Sequence, residues 1–173
     1  MVPGMATCAR TDDGIELTLT PNEVDLLRFL GGELRRLLEH GDPDQGILKP
    51  FHPRQQRRDD PEAVNTDLDH AMEAELLLHR LERISGVQDE LLSEVEAEER
   101  EEALRVVLSE ARADIWLAYL ADLRLLLGAV LGITPENPDP MDEDPEEWTL
   151  EMRMYVFLSA LQEGMIDALS GSL

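Results

Sequence analysis

The 173-residue sequence contains few of the residues that build covalent or metal-dependent chemistry. Its one cysteine, Cys8, cannot form an intramolecular disulfide, and the first ten residues lack the pattern of a secretory signal peptide, so we expect a cytoplasmic protein. The sequence has no Gly-rich phosphate loop and no Cys-x-x-Cys pair, and none of its four histidines lies three positions after a glutamate. It therefore predicts no catalytic residue, no metal site and no cofactor, and we do not expect an enzyme.

Basic residues are also scarce, because Lys and Arg total 15 against 38 Asp and Glu, for a net charge of -23. Affinity for phosphate comes from Lys and Arg, so we do not expect direct DNA binding. Such an acidic surface could bind a partner protein with a basic face, or it could serve only to keep the protein soluble. The only basic cluster is Arg54, Arg57 and Arg58, within a Pro-punctuated loop at 42–60, and it is a candidate partner contact.

No apolar run is long enough and free enough of charge to span a membrane. The longest, at 115–131, contains Asp122 and Arg124 near its centre, and each would cost roughly 2.5–3.5 kcal/mol at the middle of a bilayer. A helix that is apolar nearly all round is typical of the centre of a bundle. Asp122 and Arg124 are two positions apart and point to different sides. We therefore interpret them as structural groups, each with a partner on another helix or strand.

Aromatic residues make up only 4% of the chain, whereas Leu, Ala and Glu are abundant, and this composition favours helix over sheet. We predict a single, mainly α domain: a bundle of about five helices around a buried central helix, with a short N-terminal β-hairpin at 5–20. Thr20 and Ser109 are the expected N-caps of the first and the central helix. The predicted helices span 20–40, 61–92, 94–108, 110–132 and 146–169, with loops at 42–60 and 133–145.

Three features of the sequence indicate how the predicted helices pack. Gly31 and Gly32 in the first helix indicate either a close approach of another helix or a kink. Six glutamates within 94–102 are typical of a solvated helix face. The inner face of the second helix is predicted to consist of apolar residues at helical spacing: Leu68, Met72, Leu76, Leu77 and Leu81.

Cys8 has two interpretations. Nearby Arg10 could lower the pKa of the thiol and make Cys8 a redox-reactive site. Alternatively, Cys8 is a small residue of the hairpin packed against a helix, because free cysteine is among the most buried residue types.

Several segments, in the same order along nearly the whole chain, resemble one known family. They are "LTPNEVDLLRFLGGELRRLL", "LKPF", "ADIWLAYLADLRLLLGAVLGI" and "YVFLSALQEGMIDAL", and the most distinctive piece is the run at 116–132. The chain is similar to an actinobacterial family catalogued as a domain of unknown function. Its members include AosR-like oxidative-stress transcriptional regulators, whose gene commonly lies beside that of the ClpS adaptor.

This resemblance implies a helical regulator that acts through a sigma factor or other transcription machinery. A Clp-protease-associated adaptor is the alternative, and a metal-binding helical bundle is the third. Relatives are described as sensing oxidation through a Cys-x-x-x-Cys pair, but the residue four positions after Cys8 is Asp12. That disulfide cannot form here, so either Cys8 senses oxidation by another route or this member does not sense oxidation. We expect the second. The hairpin edge and the Leu-rich surface also make a homodimer possible.

Overall fold

The computed structural model describes residues 6–42, 46–51, 66–93, 103–134, 136 and 145–171. In this part of the chain, three β-strands and four α-helices enclose one apolar core. The strands are β1 (Thr7–Thr11), β2 (Gly14–Leu19) and β3 (Leu104–Leu108), and a 3-10 turn spans Lys49–Phe51. The helices are α1 (Pro21–His40), α2 (Thr66–Ser93), α3 (Glu110–Leu131) and α4 (Leu150–Ser170). None of these helices is long and apolar enough to cross a membrane.

The N-terminal hairpin is confirmed, and it belongs to a three-stranded antiparallel sheet in the order β1-β2-β3. Alternate residues of the central strand, Ile15, Leu17 and Leu19, are fully buried. They face the helices, as the apolar–polar alternation of this strand predicts. One face of the sheet therefore packs on α3 and α4, and Val107 on the other face is 61% exposed.

Helix α3 is the central helix of the fold, as predicted, and it contacts the other three helices and the sheet. Trp116, Tyr119, Leu120 and Leu123 are fully buried along it. Its N-cap is Ser109, whose side chain accepts a hydrogen bond from the amide of Arg112. Helix α1 begins at the predicted N-cap, Thr20, which forms a capping box with Glu23: the side chain of each residue accepts a hydrogen bond from the backbone amide of the other.

The prediction of a helix over 94–108 is wrong for its last residues, because Leu104–Leu108 is strand β3. This strand pairs with β2, with Val106 opposite Leu17 and Leu108 opposite Ile15. The central strand needs a hydrogen-bonding partner on each side, and β3 supplies the second one from 85 residues away in the sequence. Residues 94–102 lie outside the described part of the chain, so four long helices are described where about five were expected.

Two further predictions differ in detail. Helix α4 begins at Leu150 and not at 146, because Thr149 is its N-cap. The inner face predicted for α2 is not buried: Met72 is 50% exposed and Leu76 is 54% exposed, whereas Ile84, Val87 and Leu91 form its buried side. Leu77 and Leu81 are partly buried against the core, and the side chain of Leu68 lies outside the described part. Helix α2 is continuous through Gly86.

Candidate functional site

Cys8 is the first candidate residue, and the fold places it between the sheet and helix α4. Strand β1 directs its side chain toward the helices, where it packs against the core. The thiol lies beside Gly164 of α4, where an added Cβ would lie 3.4 Å from the Cys8 Sγ. Gly164 therefore forms part of the surface on which this thiol packs.

Burial raises the pKa of the Cys8 thiol to about 11, since removal from water disfavours the thiolate. Arg10 does not activate this thiol. Its guanidinium donates a hydrogen bond to the carbonyl of Leu169 at the end of α4, and it pairs with Glu110 at 3.2 Å. At pH 7 a thiol with this pKa is deprotonated in only about one molecule in ten thousand. The geometry favours the interpretation of Cys8 as a packed, unreactive thiol.

Asp122 is one of two buried charged residues among those described, and α2 supplies its partners. Its carboxylate lies 2.6 Å from Nη1 of Arg83 and 3.4 Å from Nε of Arg80. Arg80 also donates to the carbonyl of Phe51 and lies over the Phe51 ring. Desolvation raises the pKa of Asp122, and the two arginines oppose this shift. Asp122 therefore joins α3, α2 and the 3-10 turn.

Arg124 points to the opposite side of α3 and is held by α4, as its position two residues from Asp122 predicts. Its Nη1 donates to Oε1 of Gln162 at 2.6 Å, and its guanidinium lies 5.3 Å from the centroid of the Tyr155 ring. Gln162 in turn donates to the carbonyl of Leu117. Both charges of the central helix therefore orient neighbouring helices.

A polar cluster that the sequence analysis missed joins α1, α2 and α3. The hydroxyl of Tyr119 donates to the carbonyl of Leu27 at 2.7 Å, and the amide of Gln88 donates to Tyr119 and to the carbonyl of Arg28. A Cβ added at Gly31 would clash with both polar side chains. Gly31 is therefore the point of close approach that the glycine pair indicated.

A second missed cluster lies nearer the start of α3. The indole nitrogen of the fully buried Trp116 donates to Oε2 of Glu90 at 2.6 Å, and Arg112 pairs with the other oxygen of Glu90. These contacts and those of Asp122 set α2 antiparallel to α3. The apolar surface of the central helix predicted that the helix is buried, but nothing in the sequence showed which glutamate the indole of Trp116 would meet.

The basic cluster of Arg54, Arg57 and Arg58 lies outside the described residues. Within the described ranges, no group of three or more His, Cys, Asp or Glu side chains could hold a metal ion.

Comparison with known proteins gives one family and one set of relatives. The family model described as a domain of unknown function (DUF2017) matches residues 5–169. The chain is 28% identical over 183 residues to proteins named "Oxidative stress regulator AosR" from Mycobacterium bovis and Mycobacterium tuberculosis, which covers 90% of this chain and 82% of each relative. No solved structure is significantly similar to it.

Proposed function

Because this chain belongs to the DUF2017 family of domains of unknown function, we propose that it is a non-enzymatic regulator of the oxidative-stress response that acts through a protein partner. The observation that supports this proposal is the extent of its similarity to the mycobacterial proteins named oxidative stress regulator. The similarity covers most of both chains, so it extends over the whole bundle and not over one motif.

The partner that we propose is a component of the transcription machinery, such as a sigma factor. The net charge of -23 supports a protein partner over direct contact with DNA, since a duplex carries the same sign of charge. Proteins that themselves bind DNA carry basic faces, and opposite fields speed their encounter with an acidic protein. An adaptor for the Clp protease is the competing proposal, and the same binding experiment separates the two.

We further propose that the regulatory signal does not pass through a thiol of this chain. Cys8 is the only cysteine, it is packed against Gly164, and its pKa is raised to about 11. A cysteine that senses peroxide reacts as its thiolate, which this environment disfavours. A signal that changes the cellular amount of this protein, or that acts on its partner, is consistent with the buried position of Cys8.

The direct test is binding between purified proteins. The chain would be immobilised and exposed to each sigma factor of its host, to ClpS and to the Clp ATPase, with an unrelated protein of similar negative charge as the control surface. The proposal predicts micromolar or tighter binding to at least one sigma factor, weakened by salt and unchanged in Cys8→Ser. Binding to ClpS or the Clp ATPase, with none to any sigma factor, would favour the adaptor instead.

A further inference from the structure

Helix α1 leaves the side opposite the core exposed. Leu27 and Leu34 belong to its buried stripe, and the stripe on the other side of the helix is exposed along its length. The exposed stripe consists of residues spaced alternately three and four apart: Asn22, Asp25, Phe29, Gly32, Arg36 and Glu39. This is the spacing with which one helix packs along another. We call these six residues the α1 seam.

The centre of the α1 seam has a projecting aromatic ring beside an open position. Phe29 is 62% exposed. A Cβ added at Gly32, one turn farther along, would meet no atom within 4 Å. Glycine within a helix costs roughly 1 kcal/mol relative to alanine, and in the described part no close contact accounts for Gly32 as Tyr119 and Gln88 account for Gly31. A ring and an open position of this kind fit each other when two copies of the helix meet.

The order of the charges in the α1 seam is self-complementary when two copies of α1 lie antiparallel. If a two-fold axis passes between Phe29 and Gly32, each Phe29 meets Gly32 of the other copy, and each Asp25 meets Arg36 of the other copy. The side chains of Asp25 and Arg36 are 67% and 60% exposed, so both can turn across the contact. Glu33 already holds Arg36 at the surface, at 2.8 Å, and a guanidinium has donors for a second carboxylate. Symmetry therefore gives two apolar contacts and two ion pairs.

The same order of charges is unfavourable for two other arrangements. A parallel copy of α1 would place Asp25 opposite Asp25 and Arg36 opposite Arg36, and like charges repel. A uniformly basic partner would be attracted by Asp25 and repelled by Arg36. A helix whose charges run in the reverse order satisfies both positions, and an antiparallel copy of α1 supplies that order.

We propose that the α1 seam binds the α1 seam of a second copy of this chain, antiparallel and around a two-fold axis. A two-fold contact is closed, so it yields a dimer and not a filament. One helix from each copy gives a small interface, which is typical of weak and transient association. The dimer leaves the rest of the acidic surface free, so it is independent of the identity of the regulatory partner.

The main test exchanges the charges across the contact and measures the mass of the full-length protein by sedimentation equilibrium at physiological salt. We expect the wild type to dimerise at high concentration. Arg36→Glu and Asp25→Arg should each weaken the dimer about tenfold, because each replaces two attractions by two repulsions. The double variant should restore the affinity of the wild type. In one chain the two residues lie about 16 Å apart along the helix, beyond the Debye length of about 8 Å, so this restoration requires a second copy.

Two substitutions on α4 are matched controls. Arg153→Glu changes the net charge as much as Arg36→Glu does, and Arg153 is also exposed. Ile166→Ala removes an apolar side chain that is 51% exposed, for comparison with Phe29→Ala. We expect Phe29→Ala to weaken the dimer at least about tenfold, since two rings lose their burial, and neither control to change it. Circular dichroism would first establish that each variant is folded.

Crosslinking tests the antiparallel register. In a Cys8→Ser background, a mixture of Asp25→Cys and Arg36→Cys chains should give a covalent heterodimer with a short bismaleimide. Either variant alone should give none, because in this register only the unlike positions face each other. A wild-type protein that stays monomeric at every concentration would overturn the proposal, and so would a double charge variant that associates as weakly as the single variants.

Discussion

At the scale of single residues, the two charges of the central helix show how far a sequence can be interpreted. Their spacing predicted that Asp122 and Arg124 would point to different sides and be paired, and both features are confirmed. Their partners could not be predicted, because Arg83 is 39 positions from Asp122 and Gln162 is 38 positions from Arg124 in the sequence. Such a pairing depends on the rotation of α2 and α4 about their axes, which the weak amphipathicity of these helices leaves open.

The contacts of Asp122 predict that loss of its carboxylate and loss of its two arginine partners destabilise the protein by different amounts. Asp122 is nearly buried, whereas the side chains of Arg80 and Arg83 are about a quarter exposed and can turn toward water. We expect Asp122→Ala to lower the free energy of unfolding by about 2 kcal/mol, and Arg80→Ala with Arg83→Ala to lower it by about 3–5 kcal/mol, because the second change leaves a buried carboxylate unpaired. Urea denaturation measures both, and equal losses would contradict this account of the ion pair.

Cys8 gives a prediction about reactivity. Because burial raises the pKa of Cys8 to about 11, from 9.0 for a cysteine exposed to water, the folded protein should react with iodoacetamide at pH 7 roughly a hundred times more slowly than an unfolded chain. Chain denatured in urea is the control. A folded protein that reacts as fast as the denatured one would restore Cys8 as a candidate sensor.

The same raised pKa also predicts how stability depends on pH. The folded state favours the neutral thiol, so the contribution of Cys8 is complete below about pH 9 and decreases as the pH rises toward 11. Between these values the wild type should lose up to about 2 kcal/mol relative to Cys8→Ser. The urea midpoints of both proteins, measured across that pH range, test this prediction. If the two midpoints changed equally with pH, ionisation of Cys8 would be excluded as the cause.

At the scale of secondary-structure elements, the capped helices were predictable and the third strand was not. Thr20 and Ser109 are local signals, and both are the observed N-caps. In β3, Leu104, Val106 and Leu108 alternate with Arg105 and Val107, which is the period of a strand. The run of glutamates just before it has strong helix propensity, and five residues are too few to outweigh that run locally. Pairing with β2, a contact distant in sequence, decides the strand.

The glycine pair of α1 provides a matched test of helix packing. An added methyl at Gly31 would displace Gln88 and the hydroxyl of Tyr119, whereas one at Gly32 meets no atom within 4 Å. We expect Gly31→Ala to lower the free energy of unfolding by about 1–2 kcal/mol after its gain in helix propensity. Gly32→Ala should raise it by about 0.5–1 kcal/mol. Thermal or urea unfolding tests both, and two stabilising substitutions would contradict the observed contact between α1, α2 and α3.

At the scale of the whole molecule, composition predicted a mainly α fold with a buried central helix, and this coarse architecture is confirmed. The exposed first half of α2 was predicted incorrectly, because its apolar residues have the spacing of a core face. A single sequence cannot distinguish an apolar helix face that packs within its own chain from one that stays exposed. Met72 and Leu76 therefore looked like core residues, and they are half exposed.

The central claim is that this protein regulates transcription during oxidative stress without using its own thiol. The most direct measurement is the peroxide response of all transcripts in the bacterium that carries its gene, in the wild type, a deletion strain, and deletion strains complemented with the wild type or with Cys8→Ser. The account predicts that a set of peroxide-induced transcripts loses induction on deletion and that both complemented strains restore it equally. An unchanged response in the deletion strain would contradict the regulatory role, and restoration by the wild type alone would contradict the independence from Cys8.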